Sequence, residues 1–408
     1  MTPPLPRAAL LTIAFALSLP AWADRPAYRT EGSCDGLPAI TSLKVAPEFC
    51  LALAASDLGR ARGVLALSAN HLLVTDMGSW DAGRGRLLDL TREPGQPFKT
   101  TVLLTKLDRP HGIRQDAQGR ILLAEATQIS RVTLPAAGQP AQRQPLITGL
   151  PAQGRHPLKS FIVDASGALF INIGAPSDHC EAFDGVAAGT AHGCPQTGGQ
   201  APWASVWKYV PTRGSAGSPD TWTGKPYAWG LRNSMGLALH PASGQLWQAE
   251  NSRDSLPADK YAKDSPPDEL NLVTEGHHYG WPHCSGADVL DTAYGATRCQ
   301  DFTAPAKLLP AHVAPLGMAF YKGPAASKWD GALVMAWHGY QPTGHRLMAW
   351  RFDARHQPTG TPQPLIDGWA AQAGQHPMGA PTDIAQDAQG RLWVTEDRNG
   401  TLLVLVPR

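Results

Sequence analysis

One short pattern, written six times, governs what this chain can fold into. Ile113–Glu125 reads IRQDAQGRILLAE, and Ile384–Glu396, near the other end, reads IAQDAQGRLWVTE. Each is an apolar strand, a polar turn ending in glycine and a second apolar strand, the signature of a β-hairpin. Looser versions occupy Gly63–Asp76, Ser160–Gly174, Ser234–Glu250 and Pro315–Trp337. Most are followed by another strand-like run, such as SVWKYV at Ser205–Val210 or LMAWRF at Leu347–Phe352. A unit of three or four short strands exposes two apolar faces and must stack on neighbours. Closing six such units into a ring removes the unpaired ends. The pattern therefore predicts an all-β fold, a six-bladed β-propeller with four-stranded antiparallel blades around a central channel. A sandwich or a two-domain chain would not place near-copies at both ends.

The remaining bulk features fit one exported domain. Glycine (41) and proline (37) are scattered between short apolar runs, which gives many turns and no low-complexity tail. A formal net charge of +1 leaves no basic footprint for nucleic acid and no polybasic membrane patch. Arg7, the apolar run Ala8–Leu19 and the A-x-A-like site Ala21–Ala23 read as a signal peptide over 1–23. The propeller then spans 24–408, with no later stretch long enough for a membrane anchor. The expected location is the periplasm or the outside of the cell. Six cysteines suit an oxidising compartment. They allow fifteen connectivities, among which proximity favours Cys34–Cys50, Cys180–Cys194 and Cys284–Cys299. No C-x-x-C spacing for metal or haem is present.

Functional groups concentrate between Trp229 and Pro282. Arg232 and Asn233 follow a Trp-Gly turn at the start of the fourth repeat, where a planar fork of donors and an amide suit carboxylates or quinone oxygens. A salt bridge and a turn cap are the plainer roles for the same two residues. The following loop carries Glu250, Asp254, Asp259, Asp264, Asp268 and Glu269. Such oxygen-rich loops suit Ca²⁺, without EF-hand spacing here, and equally serve solubility. His156, in RHPLKSF before the third hairpin, is placed to act as a general base, with Lys159 three residues on. His111 and His338 hold comparable positions in their repeats, whereas His277 and His278 flank a turn.

GLRNSMGLALHPASGQLW at Gly230–Trp247, followed by DELNLV and GHHYGWP, resembles the soluble glucose/sorbosone (aldose sugar) dehydrogenases. RPHGI, RHPLKS, PLGMAFY with WHGY, and PTDIAQDAQGRLWVTEDRNG fit that family in the same order, across nearly the whole mature chain. The resemblance implies a propeller that binds pyrroloquinoline quinone (PQQ) and Ca²⁺ at one face of the channel. It implies that His156 takes the proton of a sugar hydroxyl while hydride passes to the quinone. Arg232 and Asn233 would lie against the quinone oxygens, with Lys159, His338, Arg62 and Arg155 as further cofactor contacts. Ca²⁺ would be held around Glu250, Asn251, Ser252, Asp254 and Asp268, partly by backbone carbonyls. A sugar and a soluble electron acceptor would be the partners.

Two departures stand out. Ala175 replaces an acidic residue that the glucose-oxidising members carry after the Ile-Gly of the third blade. Gly379–Thr382 lacks the arginines that grip the cofactor's carboxylates in those members, with Ala380 and Thr382 at the relevant positions. Those losses leave two other readings in play. One is a non-catalytic propeller that binds carbohydrate or protein; the other is a metal-dependent hydrolase or lactonase.

Overall fold

The computed structural model describes residues 27–408 except 137, 198–202, 213, 215–219, 257–264, 297, 325–326, 340 and 370–378. The signal-peptide reading, and Asp259 and Asp264 of the acidic loop, lie outside the described residues. The six repeated hairpins are the inner halves of six antiparallel blades. Blade 1 is Ala61–Ser68, His71–Asp76, Gly85–Thr91 and Lys99–Leu107. Blade 2 is Ile113–Gln115, Ile121–Glu125, Gln128–Thr133 and Gln142–Thr148. Blade 3 is Phe161–Val163, Leu169–Ile173, Ser205–Thr212 and Thr221–Trp229. Blade 4 is Gly236–Leu239, Leu246–Glu250, Pro267–Val273 and Lys307–Ala311. Blade 5 is Pro315–Phe320, Leu333–Trp337, Arg346–Trp350 and Gln363–Asp367, with Lys44–Val45 added outside.

Blade 6 joins the two ends of the chain. Pro381–Gln386, Leu392–Glu396 and Thr401–Pro407 come from the C-terminal side, and Phe49–Ala55 supplies the fourth strand. Leu37–Ile40 and Thr30–Cys34 extend this sheet further. The first strand of each blade touches that of the next all the way round, ending with Pro381–Gln386 against Ala61–Ser68.

The apolar runs are nearly continuous because each blade is covered on both faces. Successive residues of one strand fill different interblade cores. Leu72 and Val74 pack between blades 6 and 1, whereas Leu73 packs between blades 1 and 2. Leu122 and Ala124 face blade 3, and Ile121 and Leu123 face blade 1. Six such wedges ring the channel. The hairpin turns are locked by their own aspartates, as Asx-type turns require. Asp116 Oδ1 accepts from the backbone of Gln118 and Arg120, and Asp387 Oδ1 from Gln389 and Arg391. Gly63 permits the tight joint between blades 1 and 2, since a Cβ there would stand 2.1 Å from the His111 carbonyl.

The three proximity-favoured disulfides are all formed. Among the described residues no helix is long and apolar enough to cross a membrane.

Lys159 does not reach the channel mouth. It is fully buried before the inner strand of blade 3, and its Nζ donates to the Pro157 carbonyl at 2.7 Å. Burial, with the Arg109 charge adding to it, pulls its pKa down to about 7. Between that value and the ordinary lysine range the unfolded chain binds the extra proton, so stability rises with pH over that window. At one pKa unit per ~1.4 kcal/mol the burdened charge costs up to roughly 5 kcal/mol below pH 7.

Two outcomes follow from this architecture. Lys159→Met should raise the melting temperature most at pH 7 and below, with the gain shrinking towards pH 10; a gain independent of pH would contradict the buried ammonium. Replacing Cys34 and Cys50 with serine unpins the ring-closing strand from Thr30–Cys34, the second strand out from it in the same sheet. It should cost about 3 kcal/mol in urea unfolding, a typical figure for a loop of this size.

Candidate active site

In an antiparallel blade the start of strand one and the end of strand two lie at the same end. Every residue flanking those two points therefore faces one end of the channel. There a two-lobed cavity opens, about 390 Å³ in one lobe and about 570 Å³ in the other. Trp80, Arg155, His156, Asn233, Asn251 and Ala314 border both lobes. The first lobe adds Arg60, Arg62, His338, Asp397 and Arg398. The second adds Arg232, Ser252, Asp254, Asp268, His312 and Gln341.

His156 is positioned by backbone. Its Nδ1 lies 2.5 Å from the Ala175 carbonyl, which only accepts, so Nδ1 carries the proton and Nε2 keeps its lone pair. Ala175 thus orients the imidazole through its main chain, at the position where the resemblance implies an acidic side chain. Gly174 allows the approach, because a Cβ there would meet the His156 Cβ at 2.5 Å. Burial and the nearby Arg232 charge hold the imidazole well below its usual pKa. The His156 imidazole is neutral at pH 7.

Arg232 is the hub of the second lobe. Nη1 donates to the carbonyls of Asn251 (2.9 Å) and Ser252 (2.8 Å). Nη2 donates to Asp178 at 2.7 Å and Asp254 at 3.0 Å. Asp178 also accepts from the Asp254 backbone, and Trp281 Nε1 donates to its carbonyl. The Gly-Trp-Pro corner therefore braces the aspartate that braces the arginine. The Arg232 carbonyl in turn accepts from Ala175 N at 2.7 Å, tying this hub to the His156 support. Asn233 donates its backbone N–H to Glu250 Oε1, while its own Oδ1 is buried without a partner. Asn251 Oδ1 is orphaned in the same way. Two unsatisfied buried acceptors on one cavity wall call for a ligand with donors.

The first lobe is held by a charge network. Asp397 bridges Arg62 Nη1 (2.5 Å) and His338 Nε2 (3.0 Å). Those two neighbours keep its carboxylate well below the usual range despite burial. Arg62 Nε donates to His111 Nδ1, and burial keeps His111 neutral. Arg60, Arg155 and Arg398 are exposed on the same walls, and neither Arg60 nor Arg398 forms an ion pair with a described residue.

The expected Ca²⁺ ligands divide. Asn251, Ser252, Asp254 and Asp268 reach the second lobe. Glu250 does not line it; its carboxylate turns back to Asn233 N and Gln248, and burial beside Glu269 pushes its pKa up to about 8. Among the described residues no three His, Cys, Asp or Glu side chains converge as a cation cage. The carbonyls of Asn251 and Ser252 already accept from Arg232. Ala380 and Thr382 are buried, and Thr382 Oγ1 sits 3.0 Å from the carbonyls of Ala61 and Arg62. Those positions seal blade 6 to blade 1 and present nothing to the cavity. His277 and His278 lie outside the lining.

Arg60, Arg398, Asp397, Asp178 and Trp80 are the residues that sequence reasoning missed. Arg60 directly precedes a first strand and Asp397 directly follows a second, with Arg398, Trp80 and Asp178 two to five residues beyond the ends of second strands, a rule that finds them once the blades are assigned.

Comparison with known proteins bears on the family and the fold. The family model described as Glucose / Sorbosone dehydrogenase matches residues 79–404. A pyrroloquinoline quinone-dependent sugar dehydrogenase of Hypocrea jecorina is 26% identical over 220 residues, 43% of this chain and 47% of that protein. The chain spans less than half the length of the curated relatives it matches. Among solved structures, the calcium structure of a Trichoderma reesei family AA12 carbohydrate-active enzyme superposes with a TM-score of 0.72 at 20% identity, over 93% of this chain and 100% of that one. The holo form of the PQQ domain of Coprinopsis cinerea pyranose dehydrogenase gives 0.68 at 20% identity, over 90% and 97%. With a family match across most of the chain and the same fold in these structures, the protein belongs to the glucose/sorbosone dehydrogenase family.

Proposed function

We propose that this is an exported, PQQ-dependent sugar dehydrogenase that oxidises an aldose or sugar-derived hydroxyl, with His156 as general base and a soluble electron acceptor. The observation that carries the reading is the meeting of three features in one cavity. They are a neutral imidazole with a fixed tautomer, two orphaned amide oxygens and a wall of arginines. Three disulfides support a periplasmic or secreted location.

The residues present fit a planar quinone with three carboxylates. Arg60, Arg62, Arg155 and Arg398 supply charge-assisted donors on the first lobe, in place of the arginines absent from 379–382. Bound there, the quinone would accept the hydride that leaves the substrate's carbinol carbon. Arg232 and Asn233 would provide fixed positive potential and an amide where negative charge develops. Ca²⁺ belongs to the proposal through the carbonyls of Asn251 and Ser252 and the carboxylates of Asp254 and Asp268. That assignment requires Arg232 to share or release the two carbonyls. His156 takes the hydroxyl proton at Nε2, and its Nδ1–H bond to Ala175 stabilises the charge it acquires.

Reconstitution with PQQ and Ca²⁺ should give dye-linked sugar oxidation, and His156→Ala should lower kcat by about 10² to 10⁴, the range for loss of a positioned base. The base must be neutral, and its pKa is depressed, so kcat/KM should hold as pH falls through 6.5 and decline only below it. An acid limb centred at or above 6.5 would contradict the buried, Arg232-facing imidazole. Arg398→Ala should weaken PQQ binding about tenfold, or ~1.4 kcal/mol, read from quinone absorbance and from the thermal shift on loading. Unchanged affinity would remove the first lobe from the carboxylate site.

A further inference from the structure

Resting on the dehydrogenase reading, we infer that Trp80 is a stacking platform for the substrate's pyranose ring at the cavity mouth and so a determinant of its KM. Trp80 is 55% exposed, one of four large apolar side chains left open among the described residues. The other three, Val102, Val210 and Leu308, sit singly on strands in the outer part of their blades. Trp80 alone among them lines the cavity, and it borders both lobes beside His156.

The loop that presents it is braced. Met77 N donates to the Arg60 carbonyl, Gly78 N to Asp76 Oδ1 at 2.8 Å and Asp81 N to Ser79 Oγ at 3.0 Å. Gly78 has φ +69°, and a Cβ on it would stand 2.3 Å from the Arg84 carbonyl, so the loop's path leaves no room for a larger residue. An exposed indole on a fixed loop beside a polar cavity marks a ligand contact.

The ligand's other face is specified by different atoms. Asn233 Oδ1 and Asn251 Oδ1, buried and unpartnered on the shared wall, accept, and Arg232 Nε, buried and unpartnered in the second lobe, donates, so the site asks for groups that do both, as hydroxyls do. A pyranose combines the two requirements, with a flat face of C–H groups and a rim of hydroxyls. An acyclic polyol offers the hydroxyls without the face.

The test uses the full protein with an oxidation-inert probe, methyl β-glucopyranoside, and sorbitol as the acyclic control. Binding is followed by saturation-transfer NMR and calorimetry with and without PQQ. The wild type should favour the pyranoside, Trp80→Ala should weaken it about tenfold (~1.4 kcal/mol), and Trp80→Tyr should restore most of it. PQQ affinity should stay unchanged. In turnover, Trp80→Ala should raise KM for aldopyranoses with kcat nearly unaltered, the mark of lost uniform binding. Equal binding of pyranoside and sorbitol, or no effect of Trp80→Ala, would overturn the platform. Loss of PQQ affinity in Trp80→Ala would also overturn it, by placing the indole over the cofactor. Trp80-dependent pyranoside binding without sugar oxidation would uphold the platform and sink the dehydrogenase reading instead.

Discussion

The whole structure depends on one strand pairing, Phe49–Ala55 against Thr401–Pro407. Each blade has two apolar faces, and only a closed ring covers both for all six. Sealing that ring with a strand from the other end of the chain makes the last joint as good as the others. It also fixes the inner strand of blade 6 against that of blade 1, where Thr382 reaches the Ala61 and Arg62 carbonyls. Arg62 and Asp397, on opposite sides of that joint, then meet at 2.5 Å in the cavity wall. The ring closure and the first lobe are thus one piece of geometry.

The second lobe depends on a similar economy of backbone. His156, Ala175 and Arg232 belong to three separate segments, yet two hydrogen bonds, Nδ1 to the Ala175 carbonyl and Ala175 N to the Arg232 carbonyl, link them in series. Such a chain holds an imidazole tautomer without an acidic side chain, and it leaves the ring in a low-dielectric pocket beside a guanidinium. Both influences favour the neutral base. The two terminal nitrogens of the same guanidinium are held by Asp178, Asp254 and two carbonyls, while its Nε is buried without a partner, so fixed positive potential and one unused donor face the lobe.

Much of this was legible from residues alone. The six hairpins, their Gly-ended turns and the cysteine spacing each reflect local physics, and all survive in the structure. The placement of His156, Arg232, Asn233 and His338 on the cavity was legible because they sit in distinctive motifs beside first or second strands, whereas Arg62 was only a spare cation in the sequence. Lys159 misled because a lysine three residues from a channel histidine can turn into the blade, where its ammonium finds the Pro157 carbonyl. Glu250 misled for a related reason: as the last residue of its strand it points along the ladder toward Asn233 N, and the loop beyond it carries the exposed oxygens. Ala175 could not be read, since its contribution is a carbonyl. Arg60, Arg398 and Trp80 could not be singled out before the blade ends were known, because their convergence is topological.

The central claim is that one end of the channel is a single cofactor and substrate site assembled from blades 1, 3, 4, 5 and 6. A crystal structure of the protein soaked with PQQ and Ca²⁺ tests it most directly. The account predicts planar density spanning both lobes, with its carboxylates among Arg60, Arg62, Arg155 and Arg398 and its quinone oxygens beside Asn233 and Arg232, within reach of the His156 ring. Density elsewhere on the ring, or a cavity that stays empty under saturating PQQ, would contradict it.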